Sequence, residues 1–332
     1  MRTLAVRLPN WLGDTVMAVP AVRALRETFP EARIALAGPW ATLLAEQGVG
    51  DTLVTYPRAW SARLAAADAM RALAPETAVV LPNSLESALA AWYWGAGRRV
   101  GFAVGGRALL LTDAPALPAP RCHQIDEYLL LAAACGAAIR ERAPRLSPPK
   151  PDSADRAEVR ALLAEAGALR EGGRRIVAVH LGAAYGPAKL WPLPQVEAFC
   201  RLMAADVTVL LVGAPSDAET ATALTAVAPA RSLVGRDRPA LLTTLLSEID
   251  VLVSGDTGVA HLAAALGTPA VTLFGPTDPA LSAPRGSARV LAHPVPCAPC
   301  FYRACPIDHP CLRDLAPSTV RDAVLQQLQA AS

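Results

Sequence analysis

The sequence predicts an α/β protein made of two doubly wound, Rossmann-like domains that face each other across a cleft. Apolar strand segments alternate with amphipathic helical segments. This alternation runs twice and is interrupted by a proline-rich stretch at 143–151. The 332 residues also exceed what one hydrophobic core usually contains. We therefore expect domains at 1–150 and 151–316, followed by a terminal helix within 317–332.

In the first domain, short apolar runs between turn signals predict strands, and apolar residues that recur every three to four positions predict helices. Alternating strands and helices are typical of a parallel sheet covered on both faces. The expected strands are Thr3–Leu8, Arg33–Ala37, Thr52–Tyr56, Thr77–Leu81 and Arg98–Phe102. The expected helices are Asp14–Phe29, Ala59–Leu73, Ser84–Trp94 and His123–Cys135.

The second domain repeats this rhythm and predicts a second parallel sheet. Its expected strands are Arg175–His180, Val207–Val212, Arg231–Val234, Asp250–Val253 and Ala270–Phe274. Its expected helices are Pro194–Ala205, Ser216–Val227, Pro239–Ser247, Thr257–Leu266 and the terminal Pro317–Ala330.

The composition is that of a soluble enzyme with 53% hydrophobic and 18% charged residues. A net charge of +2 argues against a nucleic-acid partner, because such proteins usually have a clearly basic domain. The first residues lack the apolar core of a signal peptide, and no run of about 18 apolar residues indicates a membrane span. We expect a cytoplasmic protein.

The segment Ser254–Thr277 is the strongest functional signal. It closes a strand, turns through a glycine-flanked Asp256-Thr257 pair, opens a helix that contains His261, and returns into another strand. Ligands of open parallel sheets lie at the carboxyl ends of strands, where a helix N-terminus favours an anion. A phosphate is the expected ligand. His261 fits either a ligand contact or a packed core histidine.

Lys189 follows the first strand of the second domain in a loop of small residues. The loop allows close backbone approach, and the lysine supplies a full positive charge suited to a pyrophosphate. The P-loop pattern is absent, and an isolated loop lysine is usually only solvated. Its position at a strand's carboxyl end, on the same side as Asp256, favours the functional interpretation.

Asp14 follows the first strand of the chain and begins a helix. A dinucleotide fold would require G-x-G-x-x-G here, and only Gly13 is present. The carboxylate fits either a first-turn residue favoured by the helix dipole or a general base that accepts a proton from a sugar hydroxyl.

Several chemical patterns are absent from the sequence. No D-x-D motif indicates metal chelation by a nucleotide-sugar enzyme, and neither G-x-S-x-G nor H-E-x-x-H indicates a hydrolase. The leaving phosphate would then be stabilised by Lys189 and helix N–H groups, without a divalent cation.

Four of the seven cysteines lie near the end of the chain, at Cys297, Cys300, Cys305 and Cys311. In a cytosolic chain this cluster indicates either a structural zinc site or reduced thiols without metal. The spacing lacks the second C-x-x-C of a zinc ribbon.

Aromatic and basic residues of the first half allow two interpretations. Trp92-Tyr93-Trp94 fits either a membrane-surface contact or a buried helix end. Arg58 and Arg107 fit either contacts with an anionic acceptor or ordinary surface arginines.

Five segments together resemble glycosyltransferase family 9, the heptosyltransferases of lipopolysaccharide core assembly. The resemblance implies a GT-B fold and metal-independent inversion at the anomeric carbon. It also implies ADP-L-glycero-D-manno-heptose as donor and heptosyl-Kdo2-lipid A as acceptor, at the cytoplasmic face of the inner membrane. The Leu81–Ser84 and Gly186–Lys189 segments lean toward the branch that adds the second heptose. The five segments are Pro9–Asp14, Leu81–Ser84, Gly186–Pro192, Asp256–His261 and Gly275–Thr277.

By position, the resemblance implies that Asp14 is the general base and Lys189 the donor-phosphate lysine. The terminal helix often crosses back to the first domain in this family. The remaining expected donor contacts are Gly13, Ala183, Ala184, Trp191, Asp217, Asp256, Thr257, Gly258 and His261. The expected acceptor contacts are Asn10, Asn83, Ser84, Arg58 and Arg107.

Two alternatives remain open at this point. One is another nucleotide-sugar transferase of the same fold in envelope polysaccharide assembly. The other is a non-enzymatic nucleotide-binding or zinc-stabilised protein of envelope assembly. A dehydrogenase is a distant third, because the glycine fingerprint is missing.

Overall fold

A computed structural model of the chain describes residues 2–57, 59–170, 173–236 and 239–330. The chain divides into two compact units, Met1–Ser147 and Pro148–Ser332. The proline-rich stretch 143–151, within which the units divide, forms neither helix nor strand. Arg58, an expected acceptor contact, lies outside the described residues.

The first unit contains a five-stranded parallel sheet in the order β3-β2-β1-β4-β5. Its central strands are fully buried, as expected when helices cover both faces of a sheet. The strands are β1 (Thr3–Arg7), β2 (Arg33–Gly38), β3 (Thr52–Thr55), β4 (Thr77–Val80) and β5 (Arg98–Val100). The helices are α1 (Leu12–Met17), α2 (Val19–Thr28), α3 (Trp60–Ala72), α4 (Leu85–Tyr93) and α5 (Gln124–Ala134).

The single helix expected over Asp14–Phe29 is wrong in one respect, because the structure divides it at Ala18. Pro20 lies at the start of the second helix, where its missing N–H costs no intrahelical hydrogen bond. The short α1 therefore ends before α2 begins, and Asp14 belongs to the short helix alone.

The second unit contains a six-stranded parallel sheet in the order β11-β10-β9-β6-β7-β8. Its strands are β6 (Ile176–His180), β7 (Thr208–Val212), β8 (Arg231–Ser232), β9 (Val251–Gly255), β10 (Ala270–Phe274) and β11 (Ala288–Ala292). Its longer helices are α6 (Ala154–Glu165), α7 (Leu193–Met203), α8 (Ala218–Val227), α9 (Leu242–Glu248), α10 (Gly258–Leu266) and α13 (Pro317–Ala330). Two one-turn helices are α11 (Pro279–Ser282) and α12 (Pro310–Arg313).

Two elements of this unit are missing from the sequence-based expectation. Helix α6 is mostly exposed and highly charged, so few apolar positions mark its buried face. Strand β11 lies at the sheet edge and is only partly covered, so it lacks the apolar run of the central strands.

The terminal helix α13 packs against α7, β9 and β10 of its own unit. Val320 and Val324 are fully buried in the core cluster of this unit. A contact of residues 317–332 with the first unit stays a prediction. In the described part of the chain, no helix is long and apolar enough to cross a membrane.

Both sheets reverse their strand order at a neighbouring pair of strands. In the first unit the reversal lies between β1 and β4, and in the second between β6 and β9. Connections leave in opposite directions at such a point, so a crevice opens beyond the carboxyl ends of the two strands. The loops after these four strands carry most of the expected site residues.

Candidate functional site

Lys189 and Asp256 form a buried ion pair at the strand-order reversal of the second unit. Lys189 lies in the loop after β6, and Asp256 directly follows β9. The Lys189 Nζ donates to Asp256 Oδ2 at 2.5 Å and to the Asp256 carbonyl at 3.0 Å. The lysine and aspartate side chains are 11% and 6% exposed, so solvent screens the pair weakly. The two residues singled out from separate loops therefore share one site.

Backbone packing holds this pair in place. A Cβ added at Gly255 would lie 2.5 Å from the Lys189 carbonyl oxygen, so only glycine allows the two loops to approach this closely. Thr277, after β10, donates its hydroxyl to Asp256 Oδ2 at 2.7 Å. Loops after three neighbouring strands thus converge on one carboxylate.

Burial pushes the pKa of Asp256 upward, but His261 and Lys189 outweigh burial and lower the pKa to about 2. The His261 Nε2 lies 3.9 Å from Asp256 Oδ1, too far for a direct hydrogen bond, whereas Lys189 is at 2.5 Å. We regard Lys189 as the main partner. Asp256 therefore remains ionised throughout the physiological pH range.

This lowered pKa predicts acid-dependent stability. Since folding lowers the pKa from 3.8 to about 2, the stabilisation is fully present above about pH 4 and is lost as the pH falls through about 2. The pKa difference corresponds to about 2 kcal/mol. Urea unfolding of the wild type and Asp256→Asn between pH 5 and 2.5 should show a steeper loss for the wild type. Parallel pH profiles of the two proteins would contradict this assignment.

Helix α10 begins beside the ion pair. The hydroxyl of its N-cap residue, Thr257, forms a hydrogen bond with Ser254 Oγ at 2.8 Å. The Thr257 side chain therefore does not cap the first-turn N–H groups. Gly258 is the first helical residue and has no side chain that could cover the helix end. The partial positive charge of a helix N-terminus suits a phosphate here. His261 is 5% exposed, which makes it a packed histidine beside Asp256.

Asp217 occupies a notch formed by two glycines at the ends of β6 and β7. A Cβ at either Gly182 or Gly213 would lie 2.7 Å from Asp217 Oδ2. The same oxygen accepts a hydrogen bond from the Ala214 N–H at 2.9 Å. Asp217 thus lies at the carboxyl edge of the sheet, where the donor contact was expected.

Two expected donor contacts have different surroundings. Ala183 and Ala184 lie in the open loop after β6, where they can offer only backbone groups to a ligand. Trp191 is 8% exposed and packs edge-on against Phe199 at 5.8 Å between ring centroids. Its ring belongs to the hydrophobic core of the unit, and a contact of Trp191 with the donor stays a prediction.

Sequence reasoning missed three polar residues of this site. Thr277 binds Asp256, and Tyr185 lies under the Lys189 ammonium at 4.7 Å from the ring centroid. His180 ends β6, and burial lowers its pKa to about 4, so it is neutral at pH 7. All three residues follow or end strands next to the reversal point. The strand order alone could have indicated them.

The first unit places its expected residues at its own reversal point. Asp14 lies in the first turn of α1 and is partly exposed, whereas the adjacent Gly13 is buried. Burial raises the pKa of the Tyr128 phenol, and the negative charge of Asp14 raises it further. The Asp14 carboxylate therefore lies near a buried phenol of α5.

Hydrogen bonds from Arg7 hold the loop between β1 and α1 in place. This fully buried arginine donates to the Leu8 carbonyl and to Asn10 Oδ1, the latter at 2.8 Å. Its guanidinium also lies 3.7 Å from Glu86 and 4.6 Å from the centroid of the Tyr56 ring. The expected acceptor contact Asn10 is therefore held in a fixed orientation next to Asp14.

Arg107, another expected acceptor contact, lies inside the first unit. It is fully buried and donates to backbone carbonyls of Pro82 and Phe102 and to Asn83 Oδ1 at 3.1 Å. Burial lowers its pKa to about 10. Arg107 supports the loop after β4, and its contact with an acceptor stays a prediction. Asn83 is exposed, while Ser84 caps α4 by accepting from the Ser87 N–H.

The cysteine cluster does not form a metal site in the structure. In the residues described, no three His, Cys, Asp or Glu side chains are placed to hold a metal ion, and a structural zinc at these cysteines stays a prediction. The four cysteines are free thiols, and Cys311 is buried.

In the aromatic run, Trp94 is buried and forms part of the core, whereas Trp92 is 55% exposed. The membrane-contact interpretation is thus wrong for Trp94.

The chain is similar to known heptosyltransferases over nearly its whole length. It is 28% identical over 308 residues to lipopolysaccharide heptosyltransferase 2 of Escherichia coli, covering 85% of this chain and 86% of that protein. The corresponding Salmonella typhimurium protein is also 28% identical, over 301 residues with the same coverage.

The fold is also that of a solved heptosyltransferase. The structure of E. coli ADP-heptose lipopolysaccharide heptosyltransferase II superposes with a TM-score of 0.81 at 25% identity, with 99% of both chains covered. This similarity identifies the fold as GT-B. The sequence profile described as glycosyltransferase family 9 (heptosyltransferase) matches residues 63–310. With its two parallel-sheet units and this match, the chain belongs to glycosyltransferase family 9.

Proposed function

We propose that the protein transfers L-glycero-D-manno-heptose from ADP-heptose to the heptose of heptosyl-Kdo2-lipid A, the reaction of heptosyltransferase II. The observation that carries the proposal is the Lys189–Asp256–Thr277 arrangement beside the start of α10. It combines a cation, a helix N-terminus and close backbone approach at the strand-order reversal, where nucleotides bind in folds of this class.

The relatives support the choice of sugar and acceptor. Curated proteins that are similar over most of the chain are named lipopolysaccharide or lipooligosaccharide heptosyltransferase 2. The superposed E. coli structure is described as an ADP-heptose heptosyltransferase II. We therefore favour the second-heptose reaction over transfer of another sugar.

In the proposed reaction, Asp14 accepts the proton of an acceptor hydroxyl while that oxygen attacks the anomeric carbon of the donor. The bond from this carbon to the ADP oxygen breaks as the new glycosidic bond forms, so the anomeric configuration inverts. Lys189 and the first-turn N–H groups of α10 stabilise the negative charge that develops on ADP. Base and donor contacts come from different units of the chain.

We propose that this stabilisation operates without a divalent cation. Lys189 and the helix end supply positive charge directly at the leaving group, which is the role that a metal has in other transferases. Transfer should therefore persist in excess EDTA and should not increase when Mg²⁺ or Mn²⁺ is added. Loss of activity in EDTA that a metal ion restores would contradict this part of the proposal.

The acceptor side is proposed to comprise Asn10 and Asn83, with Ser84 at the start of α4. These residues follow β1 and β4 at the reversal point of the first unit. Since the proposed acceptor is a lipid, we also propose that the protein works at the cytoplasmic face of the inner membrane. Cosedimentation with vesicles that contain the acceptor tests this location.

A donor panel tests the proposed function. Purified protein is incubated with heptosyl-Kdo2-lipid A and, separately, ADP-heptose, ADP-glucose or UDP-N-acetylglucosamine, and acceptor-dependent nucleotide release is measured. We expect release from ADP-heptose alone. Preferential use of another donor would favour a different transferase of the same fold. Binding of nucleotide without release from any donor would favour a non-enzymatic role.

A further inference from the structure

The segment 297–311, which we call the cysteine segment, packs on the loop that carries Lys189. The Tyr185 hydroxyl donates to the Phe301 carbonyl at 2.6 Å. The Ala188 N–H donates to the Arg303 carbonyl at 3.0 Å. The cysteine segment therefore holds Tyr185 through its side chain and Ala188 through its backbone, on the two sides of Gly186.

Glycine at position 186 makes this close packing feasible. Its φ of 152° is disfavoured for other residues, and a Cβ there would lie 2.5 Å from the Arg303 carbonyl oxygen. On the other side, Cys300 and Phe301 both donate their N–H groups to the Pro276 carbonyl, at 3.0 and 2.8 Å. The cysteine segment thus joins the loop after β6 to the loop after β10, and these loops carry Lys189 and Thr277, two hydrogen-bond partners of Asp256.

This packing brings a second cation to the donor site. The Lys189 Nζ lies 4.7 Å from the centroid of the Tyr185 ring, and the Arg303 Cζ lies 5.3 Å from the same centroid. Each distance is within the range of a cation–π contact. Arg303 is exposed, and it forms no ion pair with any carboxylate in the described ranges of the chain. Its charge is therefore available to a ligand.

The local charge balance indicates what this ligand is. The charge of Asp256 offsets part of the Lys189 charge, and Asp217 adds a further negative charge at the same sheet edge. A diphosphate carries several negative charges, and a helix N-terminus offers only about half a positive charge. Arg303 supplies the additional full charge, and its planar guanidinium can bind two phosphate oxygens at once.

The backbone of the cysteine segment supports a functional role. Phe301, Asp308 and His309 have positive φ angles of 57°, 59° and 47°. Such conformations cost about 1–3 kcal/mol each for residues other than glycine and are concentrated at ligand-binding sites. Phe301 has one of these conformations, and its carbonyl accepts the hydrogen bond from the Tyr185 hydroxyl.

We propose that Arg303 and Lys189, which both contact the Tyr185 ring, together bind the diphosphate of the nucleoside-diphosphate donor. The proposal rests on the function proposed above and adds the cysteine segment to the donor site. Tyr185 is then a positioning residue, because its ring orients both cations and its hydroxyl anchors the cysteine segment.

Calorimetric binding of ADP and of adenosine tests this role. Arg303→Ala should weaken ADP binding about tenfold, the effect expected for one charge-assisted hydrogen-bonding partner, and should leave adenosine binding unchanged. Arg303→Lys should recover part of the ADP affinity. The matched control is Arg313→Ala, because Arg313 already pairs with Asp308 and Asp314. The control should bind both ligands as the wild type does.

The outcomes separate this proposal from the one on which it rests. If the wild type binds ADP and Arg303→Ala binds it equally well, the role of Arg303 is refuted while the proposed function stands. If Arg303→Ala loses ADP and adenosine affinity equally, with a lowered Tm, Arg303 acts only through packing and the proposal is wrong. A wild type that does not bind ADP overturns both proposals.

Discussion

Replacement of Asp14 by Asn is expected to lower kcat by about 100- to 10,000-fold, the usual contribution of a general base. The amide has the same shape as the carboxylate but cannot accept the hydroxyl proton. Because the charged donor contacts proposed here, Lys189 and the start of α10, belong to the second unit, the Kd for ADP should stay close to that of the wild type. Steady-state kinetics and calorimetry on the same preparation measure the two quantities.

Asp68→Asn is the matched control for this variant. Asp68 is an exposed aspartate on α3 of the same unit and accepts a hydrogen bond from the Tyr93 hydroxyl, which an amide oxygen can also accept. The control should keep normal turnover. Near-normal turnover by Asp14→Asn would show that another group, or no group, removes the proton.

Replacement of Lys189 by Met is expected to raise the Kd for ADP by at least about tenfold and to lower kcat as well. It also leaves Asp256 buried without its cation, which typically costs about 3–5 kcal/mol of stability. Lys150→Met provides the control, because Lys150 is the only other lysine of the chain and is exposed.

A double variant separates the structural effect of Lys189 from its role in binding. Lys189→Met with Asp256→Asn removes both charges, while the Asn amide can still accept the Thr277 hydroxyl. We expect this protein to regain much of the free energy of unfolding lost in Lys189→Met, but neither ADP affinity nor transfer. Recovery of transfer together with stability would mean that Lys189 only balances Asp256.

The parts of the fold and site that the sequence predicts share one physical origin. Parallel strands separated by helices order their carboxyl ends along one edge, so polar residues placed just after strands converge there. This reasoning anticipates Lys189, Asp256 and Asp14 from their positions alone. Asp217 was expected only from the family resemblance, and its notch between Gly182 and Gly213 was not predicted.

The features that the sequence does not reveal depend on contacts between distant segments. Trp191 and Arg107 are near functional loops, but their burial is determined by Phe199 and by the loop after β4. The partly exposed edge strand β11 has no apolar run to mark it. The cysteine segment suggested a metal, whereas its backbone contacts with Gly186 and Pro276 depend on tertiary packing that spacing does not encode.

Transfer to two defined acceptors tests the central claim most directly. The wild-type protein is incubated with ADP-L-glycero-D-manno-heptose and either heptosyl-Kdo2-lipid A or Kdo2-lipid A, and the products are analysed by mass spectrometry and NMR. We predict the addition of one heptose to heptosyl-Kdo2-lipid A, with inverted anomeric configuration, and no addition to Kdo2-lipid A. Retention of configuration, or transfer only to Kdo2-lipid A, would contradict the account.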